Sequence, residues 1–140
     1  MKLYYHPMST YSQKVLIAFH EKDIEFKPAI VQLMNPEARE QYRKIYPMGK
    51  VPMLMVEGDH MIPESSTIIE YLDGLAGSTL IPAEPERARK TRFKERMFDF
   101  YLADSLAALF FEGLKPEDAQ DLECIDTAEI PHRRDVPVHG

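Results

Sequence analysis

Apolar and polar residues at the start of the chain follow the pattern of a strand, a short loop and a helix. Residues 3–6 are β-prone and stop at Pro7, which indicates a first strand. Thr10 and Gln13 have the spacing of a capping box, so they mark the start of a helix. The helix is predicted to continue to about Lys22, with an apolar face formed by Val15, Leu16, Ala18 and Phe19.

The next apolar segment, residues 24–31, predicts a second strand and so completes a βαβ unit. Pro28 lies within it and indicates an edge position or a bulge, because proline has no N–H to give to a ladder. Asn35, Pro36 and Glu37 have the order of a cap, a first-turn proline and a first-turn acid. They predict a polar, weakly anchored helix whose buried residues are limited to Ala38, Tyr42 and Ile45.

Residues 49–66 carry the most informative pattern in the chain. The apolar run 53–56 and a second run ending at Pro63 flank a Glu-Gly-Asp turn, so together they predict a hairpin. Pro52 enters the first of these strands after a β-branched residue that is held extended. A proline at such a place is often in the cis form.

A further helix is predicted to open over residues 64–67, where Thr67 and Glu70 have capping-box spacing. Its apolar face consists of Ile68, Ile69, Leu72 and Leu75. Free N–H groups and hydroxyls gather at this helix start, which suits an anion. The complete order, βαβ followed by ββα, predicts an α/β fold with a four-stranded mixed sheet and helices on both sides. This order is called thioredoxin-like.

Two prolines within residues 80–85 predict a linker, and one long helical pattern follows from Glu86 to about Gly113. Its first half is basic with interleaved acids, which predicts an exposed, salt-bridged face. Its second half, residues 97–111, is apolar on nearly every side and needs other protein around it. After Asp121 no period is sustained, and a disordered tail is one interpretation of the last ten residues.

Composition and charge are those of an ordinary globular protein. The chain has 140 residues, of which 44% are apolar and 29% charged, and its net charge of −6 argues against nucleic acid as a partner. One cysteine excludes a disulfide framework, and the sequence has neither a leader nor an apolar run near the ~20 residues of a membrane span. We therefore expect a cytoplasmic protein without a membrane partner. The histidines are scattered, so we expect no metal.

The order and separation of these motifs resemble the glutathione-binding half of the cytosolic glutathione transferases, over roughly residues 2–115. In that family a Val-Pro pair with a cis bond fixes the cysteinyl backbone of glutathione. A Glu-Ser or Gln-Ser pair at a helix start holds the γ-glutamyl carboxylate. Val51-Pro52 and Glu64-Ser65 match this pattern at the family's spacing.

The resemblance implies a glutathione-binding, thioredoxin-like domain over residues 1–79, a linker over 80–85, and the start of an all-α domain over 86–140. In the family, that second domain has several helices and forms much of the electrophile pocket. Only about 27 residues follow Gly113 here, so the second domain is expected to be truncated.

The resemblance also implies a way to activate the thiol of glutathione. A hydroxyl in the first strand-to-helix loop donates a hydrogen bond to the thiolate, and Ser9 has the position that serine-type members use. Ser12 and Tyr5 are the alternatives, and Ser9 or Thr10 can also be interpreted as a helix cap alone. Serine replaces the cysteine of glutaredoxin-like and omega-type relatives, which disfavours mixed-disulfide chemistry. Cys124 is expected to be a bystander thiol.

The other implied ligand contacts lie in the second half of the domain. Lys50, beside the cis proline, is placed for the glycine carboxylate, although it can also be only a solvated charge. Ser65 is placed for the γ-glutamyl carboxylate, a role compatible with a structural N-cap. Glu64 would accept a hydrogen bond from the α-amino group, either with its side chain or through its backbone.

The prediction that results is a glutathione transferase that adds glutathione, its cosubstrate, to a small hydrophobic electrophile, as detoxifying enzymes do. We expect it to form a homodimer. The alternative is a non-catalytic glutathione-binding or protein-interaction module with a transferase-like fold. A shortened version of a longer transferase is the third interpretation.

Overall fold

The computed structural model describes residues 1–75 and 77–121, and the chain divides into two units between Ala83 and Glu84. The helices and strands of the first unit are, in chain order, β1 (Lys2–Tyr5), α1 (Thr10–Glu21), β2 (Lys27–Ile30), α2 (Pro36–Ile45), β3 (Met53–Met55), β4 (Met61–Pro63) and α3 (Ser65–Asp73). The predicted βαβ-ββα order is therefore confirmed.

The four strands form one mixed sheet in the order β2-β1-β3-β4. β1 runs parallel to β2 and antiparallel to β3, and β3 runs antiparallel to β4. Pro28 lies on β2 at the edge of the sheet, so the predicted edge position is confirmed. β2 is shorter than the predicted strand, because the N–H of Ile24 donates to the carbonyl of Phe19 at 3.0 Å and closes the end of α1.

Helices cover both faces of the sheet, because alternate residues of each strand point to opposite sides. Leu3 and Leu54 lie on one face and pack with residues of α1 and α3, namely Val15, Ala18, Phe19, Ile68 and Leu72. Tyr4 and Met53 lie on the other face and pack with Val31 and with Tyr42 of α2. The prediction of helices on both sides is confirmed.

Two helices begin earlier than their predicted caps. Ser9 is the cap of α1, since its side chain, and not that of Thr10, accepts a hydrogen bond from the first turn. Glu64 is the cap position of α3, and the hydroxyl of Thr67 donates to its carbonyl at 2.9 Å. Thr67 therefore lies inside the first turn, and both predicted capping boxes are wrong.

α2 begins where the sequence predicted, but one of its predicted buried residues is exposed. The side chain of Asn35 accepts hydrogen bonds from the N–H groups of Glu37 and Ala38 at 2.9 and 3.1 Å, as a cap residue does. Ile45, predicted to be buried, is 40% exposed. The next residue, Tyr46, packs instead against the second core of the domain, which is the cluster of Tyr4, Val31, Tyr42 and Met53.

The second unit contains a continuous helical stretch from Pro85 to Gly113. It consists of α4 (Pro85–Met97), a π-helical segment (Phe98–Ala103) and α5 (Asp104–Gly113). The stretch begins one residue before the predicted start, because the Glu84 carboxylate caps it. Its extent was predicted, but its π-helical segment was not.

The exposed face of α4 carries one of the ion pairs predicted there. The guanidinium of Arg89 contacts the Glu86 carboxylate at 2.6 and 2.8 Å.

No helix within residues 1–75 and 77–121 is long and apolar enough to cross a membrane. Cys124 and the predicted tail lie outside the described residues.

Candidate functional site

The predicted site residues come from three loops that leave the sheet at the same end. β3 is antiparallel to both of its neighbours, and Met53 at its start is paired with Tyr4 and with Pro63. The end of β1, the start of β3 and the end of β4 therefore lie side by side at the same end of the sheet. Ser9, the segment 50–52 and the pair Glu64-Ser65 each follow or precede one of these strand ends.

Ser9 is partly exposed at the N-terminus of α1. Its Oγ atom accepts a hydrogen bond from the backbone N–H of Ser12 at 3.2 Å, and its own N–H donates to the carbonyl of His6 at 3.0 Å. A hydroxyl has one proton to donate and two lone pairs to accept with. The cap uses a lone pair of Ser9, so the proton remains available to an acceptor outside the helix.

The two alternative hydroxyls are placed differently. Ser12 is fully buried, and its Oγ atom accepts a hydrogen bond from the N–H of His6 at 3.4 Å. This bond connects α1 to the start of the loop between β1 and α1. Tyr5 packs against the core formed by α1 and α3. Of the three candidates, Ser9 combines exposure with a position at a helix N-terminus.

The loop that enters β3 contains the cis peptide bond between Val51 and Pro52, as predicted. It begins with a turn in which the N–H of Gly49 donates to the carbonyl of Tyr46 at 2.9 Å. Gly49 has φ of +64°, a conformation that favours glycine. Lys50 is exposed. This exposure is compatible with a contact to the ligand and equally with a solvated charge.

A hydrogen bond that was not predicted holds this loop to α2. The hydroxyl of Tyr42 donates to the backbone carbonyl of Lys50 at 2.9 Å. Burial raises the pKa of Tyr42 well above its ordinary value, and the neighbouring Tyr46 and Tyr4 raise it further. From the sequence, Tyr42 was predicted only as a buried residue of α2. No local motif predicts a hydrogen bond from a side chain to a carbonyl eight residues further on.

The start of α3 has an unusual backbone. Glu64 has φ of 66° and ψ of 129°, and its own side chain makes no capping hydrogen bond with the first turn. Residues other than glycine rarely adopt such positive φ values. Those that do are concentrated at functional sites. Ser65 is the first helical residue and 5% exposed, so it is not the cap. Uncapped N–H groups at a helix N-terminus attract anions.

Two further residues lie close to this helix start and were missed in the sequence. The Nζ atom of Lys14, on α1, lies 3.5 Å from the Oγ atom of Ser66 and brings a positive charge to the first turn. Burial raises the pKa of Tyr46, and the negative charge of Glu64 raises it further. Both relationships join separate elements, and sequence spacing does not reveal them.

Metal-binding clusters were not expected. Within the part of the chain that the structure describes, no three His, Cys, Asp or Glu residues are grouped closely enough to hold a metal ion. His132, His139 and Cys124 lie outside that part.

Comparison with known proteins identifies the family. The model of the glutathione S-transferase N-terminal domain matches residues 3–83 of the chain. The chain belongs to the glutathione S-transferase family. The match covers all three loops that meet at the end of the sheet.

Individual members of the glutathione S-transferase family are moderately similar. Glutathione S-transferase F6 of Arabidopsis thaliana is 40% identical over 73 residues, which are 51% of this chain and 35% of that protein. A probable maleylacetoacetate isomerase of Caenorhabditis elegans is 34% identical over 91 residues, 64% of this chain and 42% of that protein. The chain therefore spans less than half the length of these two relatives.

Among solved structures, a glutathione S-transferase from Methylobacillus flagellatus with GSH bound superimposes with a TM-score of 0.80 and 31% identity. The aligned region covers 91% of this chain and 62% of that chain. The fold similarity thus extends beyond the first unit, although the whole of that protein is longer.

Proposed function

We propose that this chain binds glutathione where the three loops meet and activates its thiol for addition to a small electrophile. The observation that supports the proposal is the meeting of Ser9, Val51-Pro52 and Glu64-Ser65 at one end of the sheet. Membership of the family gives these positions a common purpose. In this proposal residues 1–79 form the glutathione-binding domain, residues 80–85 the linker and residues 86–140 the beginning of an all-α domain.

The γ-glutamyl end of glutathione would bind at the start of α3. Its carboxylate takes the hydroxyl of Ser65 and the N–H groups of the first turn, where the helix dipole favours a negative charge. Lys14 adds a positive charge close by. Glu64 accepts a hydrogen bond from the α-amino group, and its positive φ directs the chain into the helix at that point.

The rest of the tripeptide would bind along the loop that enters β3. The backbone of Val51, next to the cis proline, bonds the cysteinyl unit, and the exposed ammonium of Lys50 meets the glycine carboxylate. Pro52 is buried, so this backbone rests on a fixed support.

This placement leaves the thiol for Ser9. The hydroxyl of Ser9 donates to the thiolate while its oxygen accepts from the N–H of Ser12, which strengthens it as a donor. A drop of two pKa units from about 8.5 corresponds to roughly 2.7 kcal/mol. One charge-assisted hydrogen bond together with a helix N-terminus can supply that amount.

The wider setting of the activity is part of the same proposal. The electrophile is small and hydrophobic, the reaction needs no metal, and the protein acts in the cytoplasm as a homodimer in the manner of detoxifying transferases. Maleylacetoacetate belongs in a substrate screen, because two of the relatives are named as its isomerase.

Calorimetric titration with glutathione tests the proposal. We expect binding in the micromolar to millimolar range that Ser65→Ala weakens at least about fivefold, because a hydrogen bond to a charged group is lost. Thr91→Ala, which removes a hydroxyl bonded to the carbonyl of Arg87 on α4, is the control and should bind as the original protein does. No heat with glutathione would refute the proposal.

A second candidate function is a non-catalytic interaction module. Large apolar side chains are exposed along the helical stretch of the second unit, among them Phe93 and Phe100 at 59% and Phe111 at 52%. Such a surface suits a protein partner. Glutathione binding without turnover of any electrophile in the screen would favour this module over the enzyme.

A further inference from the structure

The bond between Tyr42 and Lys50 joins α2 to the loop that carries the cis peptide. Tyr42 is 4% exposed. Its ring packs against the rings of Tyr4 and Tyr46, whose centroids lie 5.6 and 6.3 Å from its own. A phenol held in this way has little freedom of orientation. The position of its hydroxyl is therefore set by the second core of the domain.

The bond fixes more than a carbonyl oxygen. A trans peptide unit is planar, so the carbonyl of Lys50 and the N–H of Val51 belong to one rigid plane and point in opposite directions. Since the Tyr42 hydroxyl holds the carbonyl at 2.9 Å on one side, the N–H of Val51 is directed to the other.

We propose that Tyr42 is a positioning residue for glutathione, which orients the Val51 N–H towards the cysteinyl unit by holding the Lys50 carbonyl. The inference rests on the proposed function, because it assigns a cause to the geometry of that binding loop. Tyr42 touches neither glutathione nor the thiol. It acts through one peptide plane.

The neighbouring contacts show why a second support is needed. Gly49, directly before Lys50, adopts positive φ, and its N–H donates to the carbonyl of Tyr46 in the turn that precedes the loop. Without the phenol, the Lys50–Val51 plane can rotate about the two single bonds that flank it, the ψ torsion of Lys50 and the φ torsion of Val51. The loss would be felt in ligand affinity, while Ser9 and α1 keep their places.

The test compares Tyr42→Phe with Tyr4→Phe in the full chain, using glutathione titration and steady-state turnover of one electrophile. Tyr42→Phe keeps the ring and removes the hydroxyl. We expect Kd and KM for glutathione to rise about five- to tenfold, the effect of one lost buried hydrogen bond, with kcat within about twofold of the original. Tyr4→Phe removes a hydroxyl from the same core without touching Lys50 and should leave both constants unchanged.

The split between KM and kcat separates positioning from damage to the fold. A variant that merely unfolds in part would lose kcat at constant KM, because fewer molecules would be active. Equal Kd values for Tyr42→Phe and the original protein would overturn the inference and leave the proposed function intact. Absence of glutathione binding by the original protein would overturn both.

Discussion

The Oγ atom of Ser9 lies 3.2 Å from the backbone nitrogen of Ser12, so the residue proposed to activate the thiol is also the cap of α1. The two interpretations of Ser9 are compatible, because capping uses a lone pair and activation uses the proton. They predict separable losses when the side chain is changed.

Ser9→Ala should lower both stability and turnover. Loss of the cap is expected to reduce the free energy of unfolding by about 1 kcal/mol. Loss of the proton donor should slow turnover by about two orders of magnitude, the effect of one donor to a developing anion, with Kd for glutathione nearly unchanged. Urea unfolding, titration and turnover measure the three quantities.

Ser9→Asp is the matched control for that prediction. An aspartate caps α1 as well as serine does, so stability should be retained, while its negative charge beside the thiolate should abolish turnover. Full turnover in either variant would remove Ser9 from the mechanism. A large loss of activity in Ser9→Ala that stability alone explained would leave it a cap only.

Much of the fold follows from local patterns in the sequence. The Asn35 cap and the turn before β4 depend on neighbours close along the chain, and the edge position of Pro28 follows from its missing N–H; all three predictions are confirmed. The starts of α1 and α3 were displaced, because Thr10 and Thr67 have the right spacing but the first turn bonds elsewhere. Spacing alone does not distinguish a cap from a residue within the first turn.

The sequence predicted the residues of the candidate site, which remain a prediction, but it did not predict the contacts that support them. Ser9, Val51 and Glu64 stand at motifs whose order and separation along the chain can be recognised. The bond from Tyr42 to Lys50 depends on how α2 packs on the sheet, and it has no counterpart in local spacing. The positive φ of Glu64 is equally invisible, since glutamate has no preference for it.

A second prediction concerns the turn that leads to Lys50. Gly49→Ala places a Cβ atom 3.1 Å from two side-chain atoms of Arg43, at φ of +64°. We expect a loss of about 1 kcal/mol from the backbone conformation and a weaker affinity for glutathione, because the shifted turn carries Lys50 with it. Unfolding in urea and glutathione titration measure the two effects.

Gly58→Ala is the control, because Gly58 has φ of +67° and no atom within 4 Å of the added Cβ. It should lose a similar free energy of unfolding and keep its affinity for glutathione. Equal affinity losses in the two variants would show that the turn before Lys50 has no special part in the site.

A third prediction concerns Lys22, whose side chain is 1% exposed. Its ammonium donates to the carbonyls of Asp73, Leu75 and Ser78 at 3.1, 3.1 and 2.8 Å, and so ties the end of α1 to the segment after α3. Lys22→Met keeps the stem and leaves those carbonyls without their donor. We expect the free energy of unfolding to fall by about 3 kcal/mol, as when one partner of a buried charged network is removed.

The exposed Lys44→Met on α2 gives the comparison, with an expected change within about 0.5 kcal/mol. Urea unfolding curves of both variants decide the matter. Similar midpoints would mean that the carbonyls around Lys22 find water or other donors, and that the tie contributes little.

The last prediction uses the raised pKa of Tyr42 to detect its hydroxyl in the folded protein. Burial keeps this phenol protonated in the fold, whereas in the unfolded chain it ionises near its ordinary pKa of about 10. Because the pKa is higher in the folded state, the contribution of Tyr42 to stability is complete below pH ~10 and is lost as the pH rises above that value, by up to about 1.4 kcal/mol per pH unit. Tyr42→Phe should therefore show a shallower decline of stability between pH 9 and 11 in urea unfolding than the original protein. Identical alkaline slopes for the original protein and Tyr42→Phe would mean that the phenol ionises in the fold as readily as in water, which is incompatible with a permanent bond to the Lys50 carbonyl.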